Sequence, residues 1–582
     1  MWHVSSMKNL FFTLVYLLMT FSAQGQNKSI KLVLLETSDI HGNYLPYDFL
    51  NGRPGSGSMA RISTYVRCLR QSEGEHAVVL LDNGDILQGQ PTAYYYNFID
   101  TTSVHLCAAA LNYLRYDAGT VGNHDIETGH AVYDRWVRQC HFPMLGANTV
   151  RTTDSQPYWK PYTILERQGV KIAVLGMITP GIPQWLPQNL WSGLHFDDMV
   201  TTAQRYMPEM RRKADVIVGL FHSGVGHKGQ TETDAENASI QVAEQVPGFD
   251  VIFCGHDHRR ANLKIANAQG DSVLILNPAA NAQAIARADI ELTFTDGKLT
   301  GKHMDGQIAD VSKIEADTAF TTYFAAQADT VRNFTNRVIG YNENAMTTEP
   351  AFFGPSAFID FLHQMQLSIS GAEISFAAPL AFNATIPKGE IRVRDMFNLY
   401  RYENMLYVME LTGQEVKDYL EYSYAGWTNQ MKSAQDHLLL FRPNPQQYSD
   451  PWQRLANPSY NFDSAAGLRY TVDVTQPAGK KIHIEGMANG SPFDLKKTYR
   501  CAINSYRGNG GGGLLTEGAG IAADELPKRI VWSTDKDLRY YLLTGISAMR
   551  TISPAPLNEW KFIPEAWTRP AALRDALLLK AQ

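Results

Sequence analysis

Seven side chains of the types that hold divalent cations fall in the first half of this chain, each within a few residues of the end of an apolar run. Asp39 and His41 follow the run at 32–35, and Asp85 follows 78–81. Asn123 follows a short run around Val121, with His124 beside it. His222 ends the run at 216–221, and His256 and His258 follow 251–254. Taken singly these residues say little. An Asp-x-His such as Asp39-Ile40-His41 is most often a turn with a surface histidine, and Asn123 alone would favour a turn through its own side-chain hydrogen bonding. All five clusters in order, each directly after a strand-like run, form a joint pattern that chance does not produce. Mixed carboxylate, imidazole and amide ligation suits Mn2+, Zn2+, Fe2+ or Co2+ better than Ca2+ and does not choose among the four. The set points to a two-metal hydrolase.

The elements that must position these residues follow from the runs themselves. Short stretches rich in Val, Ile and Leu, stopped by Gly, Asn and Asp, read as buried strands. Laid side by side in one sheet, their ends would converge on a single crevice, where open α/β sheets bind ligands. Strand–helix alternation continues to about residue 300. Residues 308–345 are polar and Ala-rich with helical spacing, which suits a connecting helix better than a core element. Beyond about residue 350 the pattern predicts helices over 356–370 and 412–423, strands over 406–411 and 469–474, and a long loop over 425–465. Residues 508–513, five Gly interrupted by Asn509, read as a short flexible segment. At 582 residues the chain is too long for one hydrophobic core, so two large domains are expected.

Composition narrows the partners. The chain is 44% hydrophobic and 19% charged with a formal net charge of −6, so nothing electrostatic favours a polynucleotide or a membrane surface. Five Cys without a C-x-x-C pair indicate neither a thiol redox motif nor a zinc knuckle. Cys254, at the end of a strand-like run, reads as a small core residue. At the N-terminus, Lys8 precedes an apolar stretch over 10–21 and then Ala23-Gln24-Gly25, the layout of a secretory signal peptide over 1–25. The stretch is short for a membrane span of roughly 20 residues, and no Cys follows it for lipid attachment. A secreted or periplasmic monomer without a membrane anchor is expected.

The pieces TSDIHGN (37–43), NGDILQG (83–89), GNHD (122–125), FHSG (221–224) and GHDH (255–258) resemble the calcineurin-like metallophosphoesterases. More narrowly, the chain resembles the secreted 5′-nucleotidase and 2′,3′-cyclic-nucleotide 2′-phosphodiesterase family. The resemblance implies an α/β fold: an N-terminal sandwich of two mixed sheets flanked by helices over 28–307, a helical linker over 308–345, and a smaller α/β substrate-binding domain over 346–582. It implies that Asp39, His41, Asp85 and His258 hold one ion and Asp85, Asn123, His222 and His256 the other, with Asp85 shared. His124 would face the substrate without being a ligand. A shared carboxylate offsets repulsion between two dications roughly 3.5–4 Å apart, and such a pair activates a water for in-line attack on phosphorus. His124 would then stabilise the transition state or protonate the leaving alkoxide. In related 5′-nucleotidases the catalytic histidine is backed by an Asp three residues on, where this chain has Glu127; the neighbouring Asp125 reads as structural.

The second domain bears on the substrate. The resemblance implies an aromatic pair that sandwiches a nucleobase, at Phe462 and Tyr506. Two family features are missing: a G-G-G-I-R segment corresponds to 377–381, which has no Arg, and the Asp of G-G-D-G corresponds to Gly512. That carboxylate serves free ribose hydroxyls, which a 2′,3′-cyclic phosphate lacks. Arg507 is a candidate substrate contact. The reading is hydrolysis of 2′,3′-cyclic nucleotides to 3′-nucleotides and on to nucleoside and phosphate. Alternatives are the same chemistry on 5′-nucleotides or nucleotide sugars, hydrolysis of a sulfur-linked carrier, and a non-catalytic nucleotide-binding protein, which the intact ligand set disfavours. A hinge near 308–350 is expected to close the cleft.

Overall fold

The five ligand-bearing runs form strands, but not in one sheet. In the computed structural model, which describes residues 27–580, they divide three and two between two six-stranded sheets. The expected signal peptide lies outside the described residues. The first sheet runs in the order Lys298–Asp310, Ala284–Thr295, Asn27–Thr37, Val78–Asp82, Ala118–Thr120, Met144–Leu145. The second runs Arg260–Ala266, Ser272–Pro278, Val251–Cys254, Val216–His222, Val170–Ile178, Tyr162–Arg167. Both are mixed: the central strands pair in parallel, and antiparallel strands join them at one edge of the first sheet and at both edges of the second.

The sheets pack face to face, and the strand pleat explains why the runs are apolar throughout rather than alternating. Leu32, Leu34, Val79 and Leu81 point into the core between the sheets, where they meet Val218, Leu220, Val251 and Phe253. Their sequence neighbours Val33, Leu35, Val78 and Leu80 point the other way, under helices, and so do Ile217, Phe221, Ile252 and Cys254. With both faces covered, every position of the strand is buried.

The segment between the domains folds as two helices, Thr318–Tyr323 and Ala325–Asn336. It is more than a connector, because Phe320, Phe324 and Val331 are fully buried in the same core as Leu35 and Val66. The rings of Phe320 and Phe324 pack 5.3 and 5.7 Å from that of Tyr113. Few apolar residues suffice when they share one face.

The second domain centres on a five-stranded sheet in the order Ser464–Ala466, Ile374–Ala377, Thr498–Asn504, Leu406–Thr412, Ile530–Ser533. Helix Ala357–Ser370 starts at the Ser356 cap. Helix Gly413–Trp427 starts at a capping box in which Thr412 and Glu415 satisfy each other's backbone N–H groups. That helix runs four residues past the expected 423, into the region read as loop, because Tyr424 and Trp427 are core residues. Tyr94 of the first domain meets the second directly. Its ring lies 5.3 Å from Phe397 and under the Arg539 guanidinium at 5.0 Å. No helix among the described residues is long and apolar enough to cross a membrane.

Candidate active site

Five of the seven candidate ligand residues sit on loops that leave the strand ends in a narrow conformational region. Asp39, His41, Asp85, His256 and His258 all have positive φ, between 49° and 71°. Such left-handed backbone is uncommon outside glycine and persists where the surroundings fix it. Here the loops fix one another. Asp39 N–H donates to Gly84 O at 2.9 Å and His41 N–H to Asp85 O at 3.0 Å. Asp125 accepts from the backbone N–H groups of Asp85, Ile86, Leu87 and Gly122, all at 2.8–2.9 Å, which locks the third loop onto the second. The approach leaves no room at Gly122, where a Cβ would fall 2.1 Å from Asp85 Oδ1.

Hydrogen bonds also cross between the sheets. Asn83 Nδ2 donates to Phe221 O at 3.0 Å, and His222 Nδ1–H donates to Asn83 O at 2.6 Å. His256 N–H reaches the Asp39 carboxylate at 3.1 Å.

Two groups of candidate ligands result: Asp39, His41 and His258 in one, and Asp85, His222 and His256 in the other. In the second, the His222 tautomer is set by the Asn83 carbonyl, so a neutral ring offers the Nε2 lone pair. That atom lies 3.2 Å from both Asp85 Oδ2 and Asn123 Oδ1. His256 Nδ1 lies 2.8 Å from the same Asn123 oxygen. In the first, the Nε2 atoms of His41 and His258 face each other at 3.0 Å, and His258 Nε2 is 3.3 Å from Asp39 Oδ1. Acceptors converging on acceptors need a cation between them, and the donor set fits a divalent one. Burial opposes charge on His222, but Asp85 outweighs it and raises the imidazole to about 9.

His124 belongs to neither group. It sits on the single turn Asn123–Ile126, and its N–H donates to Asp85 Oδ1 at 2.8 Å. Its Nδ1 lies 2.6 Å from Glu127 Oε2. Burial disfavours its charged form, yet Asp85 and Glu127 together lift it to about 10. The extra methylene of Glu127 thus spans the three-residue offset on this turn.

The second-domain candidates separate. Phe462 is a core residue, 1% exposed, with its ring 5.3 Å from that of Trp427 and nearly parallel to it. A base could not reach it without opening the core. Tyr460, two residues earlier, is only half-buried and lies beside the half-buried Tyr506. Burial, then Tyr506, Tyr402 and Glu236, push the Tyr460 phenol up to about 12. Arg507 is neither on the surface nor free for a substrate. Fully buried, it pairs with Asp463 at 2.9 Å and donates to Tyr460 O, Asn461 Oδ1 and Gly511 O at 2.6–3.1 Å. It braces the glycine-rich turn, which was expected to be loose. Gly512, at φ 74°, has no space for a side chain, since a Cβ would lie 2.2 Å from Arg507 Nη1.

Two neighbours of His256 carried no sequence signal. Glu236 Oε1 lies 2.9 Å from His256 Nε2, and the Trp185 ring stacks on the imidazole at 5.6 Å and 24°. Glu236 belongs to a polar loop without periodicity, and Trp185 to a short helix far from any ligand in sequence.

Residues 32–260 match the calcineurin-like phosphoesterase family, and residues 334–517 match the 5′-nucleotidase C-terminal domain. The chain is 28% identical to the 2′,3′-cyclic-nucleotide 2′-phosphodiesterase/3′-nucleotidase of Haemophilus influenzae, across 93% of this chain and 89% of that one. It is 27% identical to the trifunctional nucleotide phosphoesterase protein YfkN of Bacillus subtilis, across 95% of this chain but 40% of YfkN, so it spans less than half the length of that relative. The fold matches that of the 5′-nucleotidase precursor from Thermus thermophilus, with a TM-score of 0.61 at 21% identity over 92% of this chain and 100% of that one. The chain therefore joins a calcineurin-like phosphoesterase domain, over 32–260, to a 5′-nucleotidase C-terminal domain, over 334–517.

Proposed function

We propose that the substrate is a nucleotide, and that the chain opens 2′,3′-cyclic nucleotides to 3′-nucleotides and then releases phosphate and nucleoside. One observation carries the catalytic part: His124 stands outside both ligand groups, with its backbone tied to Asp85 and its Nδ1 to Glu127. Asp39, His41, Asp85 and His258 would hold one divalent ion, and Asp85, Asn123, His222 and His256 the other. When bound, the two ions supply the charge that polarises the phosphoryl group and activates the attacking water. Glu127 keeps the His124 ring oriented, with Nε2 free toward the ester, where it stabilises developing charge or gives a proton to the departing alkoxide. Tyr460 and Tyr506 would sandwich the base in place of the buried Phe462, through stacking worth roughly 1–3 kcal/mol per base and indifferent to its identity. Export to the periplasm or medium, as a monomer, completes the proposal.

The preference for a cyclic ester rests on Gly512. The braced turn around it offers no carboxylate to free ribose hydroxyls, and Arg507 fills the space one would need. Turnover of 2′,3′-cyclic AMP, 3′-AMP and 5′-AMP, measured in parallel with chelator controls, tests this reading. Higher kcat/KM on 5′-AMP would reject it.

A further inference from the structure

We propose that Glu236 is a positioning residue that holds His256 in the tautomer and orientation needed to bind the second ion. The inference rests on the two-ion reading above and adds a residue outside its ligand set.

The two histidines of that group are oriented by different means. His222 is fixed from behind by a main-chain carbonyl in the core. Among the described residues the His256 ring has no main-chain partner; its Nε2 meets the Glu236 carboxylate at 2.9 Å. With Nε2–H donating there, the Nδ1 lone pair must point at the cluster, where it lies 2.8 Å from Asn123 Oδ1. The Trp185 ring covers one face of the imidazole and restrains its tilt. Edge and face are then both held.

The Glu236 backbone is itself anchored beside a ligand. Ser223, the residue after His222, donates its Oγ–H to Glu236 O at 2.7 Å and accepts from Ala238 N–H at 2.9 Å. Gly224 allows the chain to close there, since a Cβ on it would fall 2.0 Å from Asn237 Oδ1. The backbone that carries the carboxylate is thus anchored at the end of the strand Val216–His222, although the Glu236 side chain is 51% exposed. A carboxylate behind a ligating imidazole fixes its tautomer and raises its basicity, and removing one typically weakens metal affinity roughly 10–100-fold.

The test uses the full chain, stripped with chelator and titrated with Mn2+ by calorimetry, alongside E236A and E236Q. E236A is expected to weaken one of two Mn2+ sites by about 10–100-fold and leave the other unchanged. Its activity should return at high Mn2+ with KM unaltered. E236Q keeps an acceptor oxygen without the charge and should fall between E236A and the parent. Matching melting temperatures in chelator show that the variants are folded. Two Mn2+ sites of unchanged affinity in E236A would overturn the proposal, as would a raised KM at unchanged metal affinity, which marks a substrate contact. A parent chain that binds none of Mn2+, Zn2+, Fe2+ and Co2+ in the same titration would instead reject the two-ion reading.

Discussion

Glu127 Oε2 lies 2.6 Å from Nδ1 of His124, one turn of backbone after it, while the N–H of the same histidine is bonded to Asp85. The ring is held at one nitrogen and the backbone at another point, so rotation about either side-chain bond of His124 would break its contact with Glu127. H124A is expected to lower kcat by roughly 10²–10⁴-fold with both ions retained. E127Q keeps an acceptor without the charge and should lose roughly 10–100-fold in kcat with little change in KM, because it disturbs the ring rather than binding. Steady-state kinetics with metal content measured on the same samples decides both. A change confined to KM would place these residues in binding instead.

Metal removal should register in stability as well as in activity. Ions bind the folded chain, where the acceptors already converge, and they stabilise it by mass action, by about 2.7 kcal/mol at one hundred times the dissociation constant. Chelator is expected to abolish turnover and lower the melting temperature, and added Mn2+ should reverse both. D85N should lose most of this metal-dependent increment, because Asp85 lies in one ligand group and bonds the turn bearing His124. An unchanged increment in D85N would count against its role.

Restoring the family's missing carboxylate should not restore 5′-specificity. G512D places a side chain at φ 74° against Arg507 and Asn461, so it should destabilise the second domain without raising activity on 5′-AMP. Truncating the arginine has a different cause. R507M leaves Asp463 buried and unpaired, a loss of about 3–5 kcal/mol. Chemical denaturation and the three-substrate assay check both variants.

The second domain carries an acid sensitivity unconnected with metals. His363, fully buried on helix Ala357–Ser370, sits between Ser375 Oγ and Ser464 Oγ at 3.0 and 3.1 Å, and burial lowers it from 6.5 to about 3. Between those values the unfolded chain binds a proton that the folded chain does not, so stability rises with pH there and is lost as pH falls below about 6.5. The slope is about 1.4 kcal/mol per pH unit, or roughly 2 kcal/mol lost by pH 5. H363Q should flatten this slope. Denaturation midpoints from pH 7.5 to 4.5, compared with the parent, measure it.

The ligand-bearing strands were legible because burial on both faces makes a strand apolar throughout, and a polar cluster at its end stands out. Their division between two sheets was not, since Val218 and Val79 look alike whichever sheet holds them. Phe462 and Tyr460 are both aromatic and two residues apart, and only packing on Trp427 shows which is core. Arg507 read as a substrate contact because its partners Asp463 and Asn461 lie more than forty positions away and meet it only in the fold. Glu236 was invisible for the same reason: its link to His256 is tertiary.

The left-handed backbone at Asp39, His41, Asp85, His256 and His258 restricts which amino acids could ever serve there. Asn, Asp and His are the side chains that visit this region most readily besides glycine. A thiolate or a longer carboxylate would have to bear the conformational penalty before it met an ion. The alphabet of ligands at these five positions is therefore biased toward carboxylate oxygen and imidazole nitrogen by the chain's own geometry, before any ion arrives.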